Sequence, residues 1–153
     1  MGEAGRLPIL IPLAVGLAVF AGTLLIHALP LRATVLVVRR EKRLGHVGAS
    51  FWTDLSIVAR AISYSLVAHL VAIGMWAGVF MLCGEFHEFP AAYYHSAVNY
   101  TTLGYGDVVM SRTWRLLGPL EAANGMLMFG LSTAMVFAVI QRLVTTRFVD
   151  MKD

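Results

Sequence analysis

Charge is what this sequence is short of. Only 14% of its 153 residues are Asp, Glu, Lys or Arg, while 58% are hydrophobic; a soluble domain carries roughly 25% charged residues. The shortage is concentrated in three places, because residues 7–29, 61–84 and 122–141 contain no formal charge. About 20 apolar residues in a helix cross a hydrocarbon core of about 30 Å, so each run is long enough to span a bilayer. The remainder is too small for a sizeable soluble core, which excludes a fused cytosolic enzyme or ligand-sensing domain. Cysteine is nearly missing: Cys83 stands alone, which excludes an intrachain disulfide, and its place at the end of the second run suits a small apolar filler. No run carries arginine at every third position, so there is no voltage-sensing helix. There is no phosphate-cradling glycine loop after a strand, no Ser-His-Asp or Cys-His set, and no repeat of 20–50 residues. His87 and Glu88 adjoin without further ligands, so no metal site is expected there. The want of a reactive constellation argues against an enzyme, and the composition points to an all-helical integral membrane protein.

The few charges are unevenly placed. Arg32, Arg39, Arg40, Lys42, Arg43 and Arg60 lie between or beside the first two runs, and Arg142, Arg147 and Lys152 follow the third. Residues 84–113 reverse the sign, with Glu85, Glu88 and Asp107 against Arg112. Short basic loops stay cytoplasmic, which puts the first loop and the C-terminus inside, and the N-terminus and residues after Gly84 outside. This topology also accounts for the net charge of +3 and the pI near 9.4 without a nucleic-acid partner. A cleaved leader is disfavoured, because cleavage near Ala28 would strand the Arg39–Arg43 cluster outside.

Along the chain, the first helix is expected from Leu7 into Val35–Val38, with Pro8 and Pro12 in its first turns and Ala14, Ala18 and Gly22 as a small-residue packing stripe. Arg39, Arg40, Lys42 and Arg43 then read as a loop, anchoring the chain and attracting anionic lipid. A second helix is expected from Thr53 or Asp54, with Phe51 and Trp52 at the interface before it and a packing face at Gly74 and Gly78. Residues 89–106 are uncharged yet rich in Tyr, Thr, Asn, His and Gly. They are too polar for lipid and too short to span comfortably. Pro90 suits a helix start, Ala91–Tyr100 suits a ten-residue helix of about 15 Å, and Gly104 and Gly106 break regularity. With both flanks outside, the segment dips in and returns, and irregular backbone at membrane depth is tolerated only where protein or a water-filled path satisfies it. The pattern is a re-entrant helix followed by an extended loop.

That loop reads Thr101-Thr102-Leu103-Gly104-Tyr105-Gly106-Asp107. It is similar to the Thr-Val-Gly-Tyr-Gly selectivity filter of tetrameric potassium channels, in the expected order of outer helix, pore helix, filter and inner helix. The resemblance runs from about Asp54 to Leu143, is closest to small bacterial pore-only channels, and extends to Arg115-Leu116-Leu117-Gly118 and Phe137-Ala138. It implies a homotetramer passing K⁺ down its gradient in the bacterial plasma (inner) membrane, with K⁺ itself as the only non-protein species and no cofactor. The ion sites it implies are the carbonyls of Thr102, Leu103, Gly104 and Tyr105 with the Thr102 hydroxyl, followed by Gly106. Neutral carbonyls replace an ion's water shell at comparable energy, where carboxylates would hold it too tightly. One loop supplies one oxygen per ring, so a cage needs four chains about an axis.

By the same resemblance, Asp107 rings the outer mouth, Gly125 and Gly130 serve as gating hinges, and Met126, Phe129 and Thr133 line the inner cavity. Glu121 and Asn124 are expensive in a membrane helix and are expected to hydrogen-bond the pore helix or filter. Three departures stand out. Leu103 replaces the usual valine, Tyr94 and His95 occupy positions where two aromatic residues are common, and Val98 stands where some relatives carry a glutamate that pairs with the mouth aspartate. Asp107 is therefore expected to be braced through Tyr94, His95 or Glu121. His27 and His69 can reach similar depth, as packing histidines or as a pH-sensing pair. The expected organisation is residues 1–50 for an N-terminal helix and basic loop, 51–145 for the pore module, and 146–153 for a short tail. Rival readings are a poorly selective cation channel of the same frame, or a non-conducting membrane scaffold.

Overall fold

The computed structural model describes residues 7–48 and 50–150. Regular structure among them is entirely helical: α1 (Leu7–Arg43), α2 (Phe51–Leu82), α3 (Phe89–Tyr100) and α4 (Leu117–Asp150). Three of these, α1, α2 and α4, are long and apolar enough to cross a membrane, each with an 18-residue stretch whose mean hydropathy is 2.6, 1.9 and 1.8 in turn. The 12-residue α3 is only about 18 Å long and too short to span. This is an all-α, multi-pass membrane protein.

Two boundaries differ from expectation. Helix α1 continues to Arg43, so Arg39, Arg40, Lys42 and Arg43 form its last turns and not a loop. Lys and Arg are good helix formers, and their charge suits the negative end of a helix. Helix α2 starts at Phe51, ahead of Thr53 and Asp54, and Phe51 and Trp52 lie in its first turn. The Asp54 carboxylate does not cap α2; it accepts the Gly48 N–H at 3.1 Å and closes the preceding loop.

The chain divides into two compact units. One comprises residues up to Leu25 together with Leu70–Phe129. Its core is Trp76, Phe80, Tyr100 and Leu117, packed with Val19, Ala72, Ile73 and Met128. Here the buried face of α1 is Pro12, Gly16, Val19 and Thr23, whereas Ala14 and Ala18 of the expected stripe are exposed. A Cβ on Gly16 would come within 2.6 Å of Leu120 in α4, and one on Gly22 within 3.1 Å of Met75 in α2. The Thr23 hydroxyl lies 3.0 Å from Asn124 Oδ1. Asn124 is thus committed to α1, where the pore helix or filter was expected. Its depth in α4 places it opposite Thr23, and a buried amide takes the partner it faces.

The other unit comprises Ile26–His69 and the residues from Gly130 onward. Val47, Ile57, Val139 and Leu143 form its small core. His27 Nε2 and His69 Nδ1 meet at 3.2 Å with both rings buried, joining α1 to α2. Glu41 is shared by Arg60 at 3.1 Å and His46 at 3.0 Å, and Asp54 pairs with Arg147 at 2.9 Å.

Candidate ion-conduction site

The site begins where α3 ends. Pro90 presets the first turn of α3, and the helix then presents Ala92, His95, Ser96, Val98 and Tyr100 inward. At its far end the chain makes a Schellman turn: Thr102 N–H donates to the Asn99 carbonyl at 2.8 Å, and Leu103 N–H to the Val98 carbonyl at 2.9 Å. Gly104 N–H also donates to Val98, at 3.3 Å. Three consecutive N–H groups are therefore consumed by the end of one helix. A trans peptide is planar, with its C=O opposite its N–H, so the carbonyls of Thr101, Thr102 and Leu103 face away from α3 together.

Beyond the turn, left-handed backbone recurs at every second residue, with φ of 60° at Thr102, 62° at Gly104 and 72° at Gly106. An ordinary strand would send successive carbonyls to opposite sides, whereas alternating handedness turns like groups to one side. Thr102, Leu103, Gly104, Tyr105, Gly106 and Asp107 are all exposed on the single chain.

Behind the loop, α3 and α4 hold a polar chain. Asn99 Nδ2 can only donate, so His95 Nε2, at 2.9 Å, accepts. The His95 ring also hydrogen-bonds the Val108 backbone, and Asn99 bonds Glu121. The Ser96 hydroxyl lies between the Ile73 carbonyl, at 2.8 Å, and Glu121 Oε1. Glu121 and Asn124 are fully buried. At the outer end of the loop, Tyr94 donates its hydroxyl to Asp107 Oδ2 at 2.9 Å, which holds the phenol pKa above its ordinary value. Burial lowers the His95 pKa, against the opposing pull of the Val108 bond, Asp107 and Glu85.

Of the residues expected to steady Asp107, Tyr94 alone bonds its carboxylate directly; His95 meets Asn99 and Val108, and Glu121 meets Ser96 and Asn99. One tie that sequence reasoning passed over is Glu85, whose carboxylate accepts both the backbone N–H and the hydroxyl of Ser111. Its signal was only a carboxylate one residue past a helix-ending glycine.

Gly125 lies directly beneath the end of α3, where a Cβ would overlap the Tyr100 carbonyl, while nothing lies within 4 Å of one built on Gly130. Met126, Phe129 and Thr133 are exposed on α4, and the Phe129 ring meets Tyr100 edge-on at 5.6 Å.

Long apolar helices flanking a short helix and a carbonyl-presenting loop define a membrane pore protein. A family model described as ion channel matches residues 66–142, just over half of the chain, and the chain belongs to that family of small channel pores. Comparison with curated proteins and with solved structures gave no match.

Proposed function

We propose that the chain is one subunit of a potassium-selective, homotetrameric channel, with residues 51–145 as its pore module and α3 as a re-entrant pore helix. The observation that carries this is the pinned loop: its first N–H groups are spent on α3, and left-handed residues recur at 102, 104 and 106. Four such loops about an axis give stacked rings of neutral carbonyls from Thr102, Leu103, Gly104 and Tyr105, which replace the water shell of K⁺. Asp107 rings the outer mouth and concentrates cations there, while Met126, Phe129 and Thr133 line the inner cavity. Gly125 and Gly130 are the hinge positions. Tetramerisation covers side chains that a single chain leaves open, among them Leu103 at 55% and Tyr105 at 66% exposure. The protein resides in the bacterial inner membrane with its C-terminus cytoplasmic, and its basic α1 end, Arg39, Arg40, Lys42 and Arg43, meets an anionic leaflet.

The test is ion flux from purified protein in liposomes under K⁺ or Na⁺ gradients. K⁺ flux that Na⁺ does not replace is expected, and Gly104→Ala should reduce that preference by roughly an order of magnitude, because a Cβ at a left-handed position costs about 1–3 kcal/mol. Equal K⁺ and Na⁺ flux would instead make it a poorly selective cation channel. A tetramer silent under every lipid, pH and tension would be a scaffold.

A further inference from the structure

Three arginines near the end of α1 form a site that ion conduction does not use. Leu36, Arg39, Arg40 and Arg43 fall at helical spacings of i, i+3, i+4 and i+7, one stripe of the helix. With Leu44 they line an open cleft of 350 Å³. The nearest acid in sequence, Glu41, is already shared by Arg60 and His46, and Asp54 is taken by Arg147. Among the described residues, no carboxylate pairs with Arg39, Arg40 or Arg43. Helix capping does not use them either. The N–H groups of Leu44, Gly45 and His46 donate to the carbonyls of Arg40, Lys42 and Glu41, so backbone alone closes the helix end. Three planar guanidinium forks therefore border one cleft without an anion of this chain to neutralise them.

The stripe also says what kind of anion fits. Followed back along α1, it carries Leu36 at 55% exposure, and beyond it the exposed Arg32 and then Leu29 at 69%, so the apolar surface next to the arginines is Leu36. From Leu36, the arginines lie about 5–10 Å further along the axis, which is the step from acyl chain to headgroup at a bilayer surface. We propose that this cleft binds the phosphodiester of one anionic glycerophospholipid, with Arg39, Arg40 and Arg43 holding the phosphate and Leu36 bearing the start of an acyl chain. Lys42 lies off the stripe and takes no part. The site deepens the anionic-leaflet contact proposed above and rests on α1 being in the membrane, but it does not depend on ion selectivity. It also lies outside the segment that matches the channel family.

The experiment is native mass spectrometry of the full chain extracted from vesicles of mixed phosphatidylcholine and phosphatidylglycerol. Wild type should keep phosphatidylglycerol in preference to phosphatidylcholine. The triple variant Arg39→Lys, Arg40→Lys, Arg43→Lys preserves every charge but not the forks, and should lose that preference by about tenfold. Lys42→Gln should keep it. Thermal unfolding in phosphatidylcholine alone, equal for all three proteins, shows that the variants fold. Undiminished retention by the triple lysine variant would reduce the site to diffuse charge attraction and overturn the proposal, as would equal retention of both lipids by wild type. Inorganic phosphate raising the melting temperature as much as phosphatidylglycerol would assign the cleft to a soluble anion and overturn the lipid. Flux in phosphatidylglycerol-free vesicles tests the channel separately: retained lipid without flux leaves this site standing and fails the channel reading.

Discussion

Thr102 sits where a helix-ending turn ordinarily takes glycine. The turns that close α1 and α2 use Gly45 and Gly84, whereas the equivalent residue after α3 is a threonine with φ of 60°. A β-branched residue in that region costs on the order of 1–3 kcal/mol, and the turn itself would be satisfied without it. What threonine adds is a hydroxyl at the start of the carbonyl row, the group the channel resemblance assigns to the first ion site. His95 illustrates a second kind of constraint. Its Nε2 accepts from Asn99, so the neutral ring must carry its proton on Nδ1. Because burial lowers its pKa, the neutral form is favoured in the fold and the brace is intact at neutral pH. The brace is lost as pH falls through that lowered value, below the ordinary 6.5. Acid on the filter side should therefore reduce current reversibly, and His95→Gln, which cannot titrate, should flatten the pH profile; a profile unchanged by that substitution would assign the acid response elsewhere.

At the scale of elements, the contact that fixes the loop is the seat of α3 on α4. Gly125 admits the Tyr100 carbonyl where any side chain would collide with it. Gly125→Ala should cost about 3 kcal/mol or more, since the obstructing atom is backbone and cannot rotate away, whereas Gly130→Ala should leave thermal stability unchanged. Equal melting temperatures for the two variants would refute this seat. Three spans and a short polar helix were legible because an uncharged run of 20 or more residues has few other uses. The packing face of α1 was not. Ala14, Ala18 and Gly22 gave the cleaner small-residue pattern, yet Pro12, Gly16, Val19 and Thr23 are buried. In a membrane helix both faces are apolar, so polarity does not separate the lipid side from the protein side. The Tyr94 bond to Asp107 was legible only as one of three candidates, beside His95 and Glu121, because nothing in the sequence says which of them reaches the carboxylate. The chain from His95 through Asn99 to Glu121 was only half legible: Asn99 is unremarkable in α3, and its partner lies 22 residues away in α4.

For the whole molecule, a single chain leaves apolar and aromatic groups uncovered along both the loop and α4, including Val109 at 74% and Met126 at 60% exposure. Lipid can cover a helix, but not a loop that turns the carbonyls of Thr101, Thr102 and Leu103 away from α3 together. Native mass spectrometry should therefore find four chains of 16.7 kDa per particle; a monomer or dimer as the sole conducting species would refute the carbonyl-ring arrangement. The double use of the Val98 carbonyl has a further consequence, for how this gene can vary in length. Because Leu103 and Gly104 both hang from that one oxygen, the row of carbonyls is measured out from the last turn of α3. Inserting or deleting one codon between Asn99 and Leu103 would carry Gly104 and Gly106 off their left-handed positions and place side chains there instead. The same change between Val108 and Arg115 would leave the row in register and act instead on Met110, buried in the core, and on the Ser111 tie to Glu85. A length change before Asp107 should thus abolish selectivity, and one after it should cost stability.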